Sequence, residues 1–307
     1  MKYLVTGVAG QLGHDLMNEL HKRGIEAVGS DLAPEYAGVR DGSPAADMPY
    51  VSMDITDRDR VLEVIESVRP DGVLHCAAWT AVDAAEDEDK REKVAAINAC
   101  GTQNIADACK EAGCKMLYLS TDYVFDGTGE KPWDPDCKDY APLNVYGQSK
   151  LDGELAVSGT LEKYFIVRIA WVFGIGGGNF IKTMLRLGQT HSELRVVSDQ
   201  IGTPTYTYDL ARLLVDMIGT DRYGYYHATN EGGYISWYDF AVEIFRQAGM
   251  NVTVHPVTTA EYGESKAKRP FNSRLDRSKL AENGFTPLPD WKDALARYLE
   301  ELKKLDA

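Results

Sequence analysis

A chain of 307 residues with 44% apolar content is long enough to bury one large core or two moderate ones. Its 47 acidic residues against 33 basic ones leave a formal net charge of −14, which argues against DNA, RNA or an anionic membrane as a bulk partner; an anionic small substrate would need a local basic pocket. Cys76, Cys100, Cys109, Cys114 and Cys137 show neither CxxC nor zinc spacing, the N-terminus carries no h-region or cleavage site, and no stretch approaches the length of a membrane span. Reduced thiols, no metal and a cytoplasmic location are expected.

In chain order, Tyr3-Leu4-Val5 reads as a strand, and Gln11 to Arg23 as a helix with Leu12, Leu16 and Leu20 on one face and Gly24 at its end. Glu26 to Gly29 is the next strand, and Leu32 to Pro49 a surface loop. Val51 to Asp54 is a short strand, followed by a helix from Asp57 to Val68 capped by Thr56 or Asp57. Gly72 to Ala77 is an apolar strand, Val94 to Ala112 a helix and Met116 to Ser120 a strand. This alternation predicts an α/β fold with a doubly wound parallel sheet, Rossmann-type, over residues 1–173. Beyond Phe173 the rhythm changes. Ile175 to Asn179 is a glycine-rich loop, Phe180 to Gly188 a helix, Arg195-Val196-Val197 and Tyr225 to Ala228 strands, and Trp237 to Ala248 a helix. A Pro/Arg/Lys-containing stretch covers Glu264 to Arg274, and Asp290 to Lys304 is a terminal helix. Residues 174–307 are expected to form mainly a smaller C-terminal substrate domain, with about 203–230 returning to the main sheet.

The turn after the first strand reads Gly7-Val8-Ala9-Gly10-Gln11-Leu12-Gly13. A tight turn and a close approach of backbone to a pyrophosphate both exclude a Cβ, and the following helix N-terminus offers N–H donors and a positive dipole end. The spacing G-x-x-G-x-x-G is weak alone, because many βα turns bind nothing; strand before and helix after make it a dinucleotide signal. Asp31 ends the second strand, roughly 20 residues on, where an acid holds the ribose 2′-hydroxyl of NAD and repels a 2′-phosphate. That favours NADH over NADPH, unless Asp31 is an ordinary loop aspartate.

Tyr146 and Lys150 stand four apart in a helix running from Pro142 through Leu155, and so share one face. A phenol near pKa 10 exchanges protons poorly at pH 7 unless its phenolate is stabilised, which a nearby lysine does. A lone YxxxK is common by chance, and its bland reading is a solvated helix face. Here Ser120-Thr121 ends an apolar strand upstream, at the sheet edge where ligands bind.

Several longer runs extend the pattern. They are Thr6 to Gly13, Cys76-Ala77-Ala78-Trp79-Thr80-Ala81-Val82-Asp83, Ile97-Asn98-Ala99 and Ser120-Thr121-Asp122-Tyr123-Val124-Phe125-Asp126-Gly127, then Pro142 to Lys150, Arg168 to Phe173 and Asp199 to Thr205. On these the chain resembles the extended short-chain dehydrogenase/reductases and, within them, the dTDP-4-dehydrorhamnose reductase family, over nearly its whole length. The resemblance implies NADH or NADPH as cofactor and a dTDP-sugar as substrate. It places Gly10, Gln11 and Leu12, with Gly7 and Gly13, at the pyrophosphate, Asp54 and Ile55 at the adenine, and Ala77, Ala78 and Trp79 along the dinucleotide. Thr121 would hydrogen-bond the keto oxygen with Asp122 beside it, Tyr146 would deliver the proton, Lys150 would hold the nicotinamide ribose, and Trp171 would pack on the substrate.

Departures stand beside the match. Trp79 occupies a position where a smaller polar residue or histidine is expected, and the Thr121 to Tyr146 gap is one residue longer. Asn98 falls near the superfamily's helix asparagine. Some relatives pair subunits through magnesium held by glutamates; those glutamates are not placed here, so a homodimer stays open without a metal. Lys182, Arg186, Lys268 and Arg269 are the cations considered for the substrate diphosphate. The implied reaction is reduction of the C4 keto group of a dTDP-4-keto-6-deoxyhexose to dTDP-L-rhamnose. Asp122-Tyr123 lacks the glutamate of the dehydratases. A nucleotide-sugar epimerase, and a non-catalytic subunit resembling that of methionine adenosyltransferase, are the alternatives.

Overall fold

Continuous apolar strands separated by amphipathic helices can bury both strand faces only in a parallel sheet covered on each side, and the computed structural model has this form. It describes residues 1–263 and 265–305. The first half contains β1 (Lys2–Thr6), α1 (Gln11–Lys22), β2 (Glu26–Asp31), β3 (Tyr50–Ser52), α2 (Arg58–Val68) and β4 (Gly72–His75). It continues with α3 (Arg91–Ala95), α4 (Thr102–Ala112), β5 (Lys115–Thr121), α5 (Val145–Thr160) and β6 (Tyr164–Ile169). These boundaries follow the sequence reading to within a few residues, with two differences of substance. The single helix expected over Val94 to Ala112 is broken by a π-helical turn at Ala96–Gly101 between α3 and α4. The helix expected from Pro142 starts at Val145, because Asn144 caps it by accepting from Gly147 N at 2.7 Å.

The second half is built from shorter pieces: β7 (Val172–Phe173), α6 (Phe180–Gly188), β8 (Glu193–Val197), β9 (Ile201–Gly202), β10 (Thr205–Tyr206), α7 (Thr207–Ile218) and β11 (Gly224–His227). Then follow β12 (Asn230–Glu231), β13 (Ile235–Ser236), α8 (Trp237–Ala248), β14 (Thr253–Val257), α9 (Thr259–Tyr262), α10 (Ser278–Glu282), β15 (Leu288–Asp290) and α11 (Trp291–Leu305). Helix α7 has no counterpart in the sequence reading; it packs on α1 against the main sheet. Of the stretch expected over Glu264 to Arg274, Glu264 lies outside the described residues.

The main sheet has seven strands in the order β11-β6-β5-β4-β1-β2-β3, every neighbour parallel. Strand β11, from late in the chain, thus lies at the edge beside β6. The order reverses between β1 and β4, and in such sheets the carboxyl ends of the strands open a crevice at that reversal. One apolar layer, with Leu16, Leu20, Leu213 and Leu214, covers one face; another, with Val61, Ile65, Ile105 and Val157, covers the other. A separate core of Phe173, Ile181, Phe240, Phe245, Trp291 and Leu295 joins α6, α8 and α11.

Candidate active site

A cleft of about 800 Å³ opens over the carboxyl ends of β1, β4, β5 and β6. That is the upper part of the range of roughly 300–1,000 Å³ typical of ligand sites. At one end is the glycine turn. Gly7 has φ +73°, and a Cβ there would lie 2.7 Å from Ala77 N, so the turn and the end of β4 touch backbone to backbone. A Cβ on Gly13 would lie 2.2 Å from Gly7 O, so α1 can begin against the turn only with glycine at that position. Gly10, the N-cap of α1, offers no side-chain cap bond, which leaves first-turn amides to an anion. These are the features of a dinucleotide cradle. Asp31 lines the same end; its Oδ2 accepts from Ala9 N at 3.0 Å and its Oδ1 from Leu32 N at 2.8 Å, so the carboxylate ties β2 to the turn. Gln11, Leu12, Asp54, Ile55, Ala77 and Ala78 line the cleft too.

At the other end, Thr121 closes β5 and caps a 3-10 turn at Asp122–Val124, accepting from Tyr123 N at 3.2 Å. Helix α5 lies close to this turn because a Cβ on Gly147 would meet Tyr123 O at 2.4 Å. That contact brings Tyr146 to Thr121, and both line the cleft with Asp122, Lys150 and Trp171. Burial holds the Tyr146 phenol well above its usual pKa; Asp122 adds to the rise and Thr121 opposes it. Lys150 is not among the groups that move it, contrary to the sequence expectation. The lysine amine lies over the Tyr118 ring, 4.1 Å from its centroid, and burial pulls it down to about 7 against the upward pull of Glu154 and Cys76. Trp171 sits at φ +50°, a left-handed conformation that is strained for a tryptophan, and stacks on Trp237 with centroids 3.7 Å apart.

Residues 1–304 of the 307 match the RmlD substrate binding domain family. The spore coat polysaccharide biosynthesis protein SpsK of Bacillus subtilis is 38% identical, the match covering 98% of this chain and 97% of that one. The dTDP-4-dehydrorhamnose reductase of Escherichia coli is 37% identical over 98% of both chains. This chain belongs to the dTDP-4-dehydrorhamnose reductase family. The crystal structure of the Bacillus anthracis dTDP-4-dehydrorhamnose reductase in complex with NADP superposes with a TM-score of 0.87 at 40% identity, covering 98% of this chain and 99% of that one.

Within this family frame, some expected residues stand elsewhere. Trp79 is not among the cleft-lining residues: its Nε1 donates to Ala81 O at 3.1 Å, and its backbone N and O bond the side chain of Asn98. Buried Asn98 also donates to Ser149 Oγ at 2.9 Å, and Ser149 Oγ to Tyr146 O, so the π-helical turn is tied to the helix carrying Tyr146. Lys182, Arg186, Lys268 and Arg269 do not line the cleft. Lys182 Nζ donates to Ile175 O and Gly177 O, bracing the glycine-rich loop whose Gly177 and Gly178 do line it. Arg269 pairs with Asp83 at 2.6 Å. Among the described residues the cations in the cleft wall are Lys150 and Lys93, the latter 5.8 Å from the centroid of the Trp79 ring. Sequence reading missed Lys93, an exposed lysine without a motif, and Tyr118, an interior strand residue. The longer gap after Thr121 packs down through Trp133, which stacks on Phe125 at 4.5 Å and donates to Asn272 O.

Proposed function

We propose that this protein is a dTDP-4-dehydrorhamnose reductase, converting the C4 ketone of a dTDP-4-keto-6-deoxyhexose to the alcohol of dTDP-L-rhamnose with NADH or NADPH. The observation that carries the reading is the convergence of Thr121, Tyr146 and Lys150 on one wall of a cleft whose far end is a glycine cradle. When bound, the reduced nicotinamide supplies the hydride. Tyr146, a phenol that burial keeps protonated, delivers its proton to the oxygen, which becomes a far stronger base as the carbonyl is reduced. Thr121 donates a hydrogen bond to the same oxygen, Asp122 stands beside it, and Lys150 holds the nicotinamide ribose. Gly7, Gly10, Gln11, Leu12 and Gly13 receive the pyrophosphate, Asp54 and Ile55 the adenine, Ala77 and Ala78 the middle of the dinucleotide, and Trp171 the sugar.

In this reading residues 1–173, with about 203–230, hold the cofactor, and the remainder of 174–307 mainly holds the sugar nucleotide. The preference for NADH rests on Asp31. The reading also places the protein in the cytoplasm and allows a homodimer, which sedimentation tests. No helix among the described residues is long and apolar enough to cross a membrane.

The test mixes pure protein with dTDP-4-keto-6-deoxyhexose and, separately, NADH and NADPH, following absorbance of the reduced nicotinamide. Stoichiometric oxidation is expected. Sugar turnover without net cofactor oxidation would favour an epimerase, and no turnover a non-catalytic role.

A further inference from the structure

The Thr121 hydroxyl carries one proton, for which Asp122 Oδ1 and the Tyr146 hydroxyl oxygen compete. Oγ1 accepts from Tyr123 N at 3.2 Å and donates to Asp122 Oδ1 at 3.0 Å. With the proton turned to Asp122, the side facing the cleft offers only a lone pair. A keto oxygen gaining negative charge needs a donor there, so this orientation opposes the reaction proposed above. Asp122 is buried, and among the described residues its Oδ2 has no hydrogen-bond partner. The Ser273 hydroxyl also lies close to the carboxyl and favours its charged form. An ionised carboxylate held out of water with one oxygen unbonded is costly, whereas a neutral acid in the same place needs fewer partners and gains a donor of its own.

We propose that Asp122 works as a neutral carboxylic acid that donates to Thr121 Oγ1 and thereby turns the Thr121 proton toward the oxygen being reduced. Asp122 is then a positioning residue acting through Thr121, an inference that rests on the reductase reading. Burial pushes its carboxyl up to about 6, while Ser273 and Thr121 pull back. The groups facing it point the same way. From α5 comes Tyr146, whose phenolate a charged Asp122 would oppose, with Lys150 one turn further on. From the 3-10 turn comes Tyr123, and beyond it Arg269, already paired with Asp83. Neither cation is bonded to Asp122, so only hydroxyl and backbone hydrogen bonds favour its charged form. A bound keto sugar that displaces water from the cleft favours the neutral form further.

Two readouts test this. The first is the infrared difference spectrum between the unaltered protein and Asp122→Asn, recorded from pH 5 to pH 8. A carboxylic C=O band is expected at the acid end, lost as pH rises through the raised pKa and retained to higher pH with dinucleotide and product sugar bound. The second is kinetic. Asparagine donates permanently through Nδ2, so kcat of Asp122→Asn should fall no more than about tenfold, with the limb near pH 6 gone and only the Lys150 limb above it left. Asp122→Ala should lose about a hundredfold, the scale of a lost oxyanion donor. In a Thr121→Val background the difference between the Asn and Ala variants should vanish. Dinucleotide affinity and Tm confirm that each variant folds. An ionised carboxylate throughout that range, or an Asn variant as slow as the Ala variant, overturns the proposal. If the unaltered protein reduces no keto sugar, the reductase reading fails while the infrared band still decides the state of Asp122.

Discussion

The two ends of the cleft are made of different material. At the glycine turn the working surface is backbone: Gly7 and Gly13 bring three pieces of main chain together at distances where an added Cβ would lie 2.7 and 2.2 Å from backbone atoms. At the Tyr146 end it consists of side-chain groups whose proton affinities burial has moved in different directions, the phenol and the Asp122 carboxyl upward and the Lys150 amine downward. One end therefore fails when an atom is added, and the other when a functional group is taken away. The contrast teaches that recognition of a constant cofactor can rest on shape, whereas a proton transfer needs tuned groups.

Tyr146→Phe separates the two ends most sharply. It should lower kcat by roughly 10²–10⁴-fold, the scale of general acid catalysis, and leave dinucleotide affinity unchanged in a fluorescence titration. A Phe variant of normal rate would break the comparison. Gly13→Ala does the reverse. Forcing a Cβ against Gly7 O should cost about 1–3 kcal/mol of stability in a denaturant melt and weaken dinucleotide binding, with surviving molecules keeping a near-normal kcat.

The pH profile sharpens the chemical end. An amine held down at about 7 is charged below that pH and neutral above it, so a step that needs the ammonium should slow as pH rises through 7. Lys150→Arg, which stays charged throughout, should remove that limb from the kcat profile even at a lower overall rate. The smallest effect is expected from Arg269→Ala. Its partly exposed ion pair with Asp83 joins the segment after α9 to the loop after β4, and its loss should cost less than about 1 kcal/mol. Any kinetic change should fall on KM for the sugar nucleotide and not on KM for the cofactor.

The amino-acid sequence by itself determined the main sheet and the identity of the residues at both ends of the cleft. Strand-length apolar runs alternating with helical periodicity admit few topologies, and Gly7, Gly10, Gly13, Tyr146 and Lys150 occur at spacings that local geometry alone interprets. What only the tertiary structure decided depends on contacts between residues far apart in the chain. Helix α7 itself carries helical spacing in Leu210, Leu213, Leu214 and Met217 and was legible in the sequence; what the sequence does not give is that this face is buried against α1. The π-helical turn at Ala96–Gly101 holds the Asn98 side chain that grips Trp79 and Ser149, and helical periodicity carries no trace of such a bond. The same holds for the Lys150 amine: spacing placed it on the helix face of Tyr146, whereas the burial that pulls its pKa down belongs to the packed molecule, with the Tyr118 ring of β5 beneath the amine. Local rules fix which groups share a helix face; dielectric surroundings and hydrogen-bond partners are properties of the packed molecule.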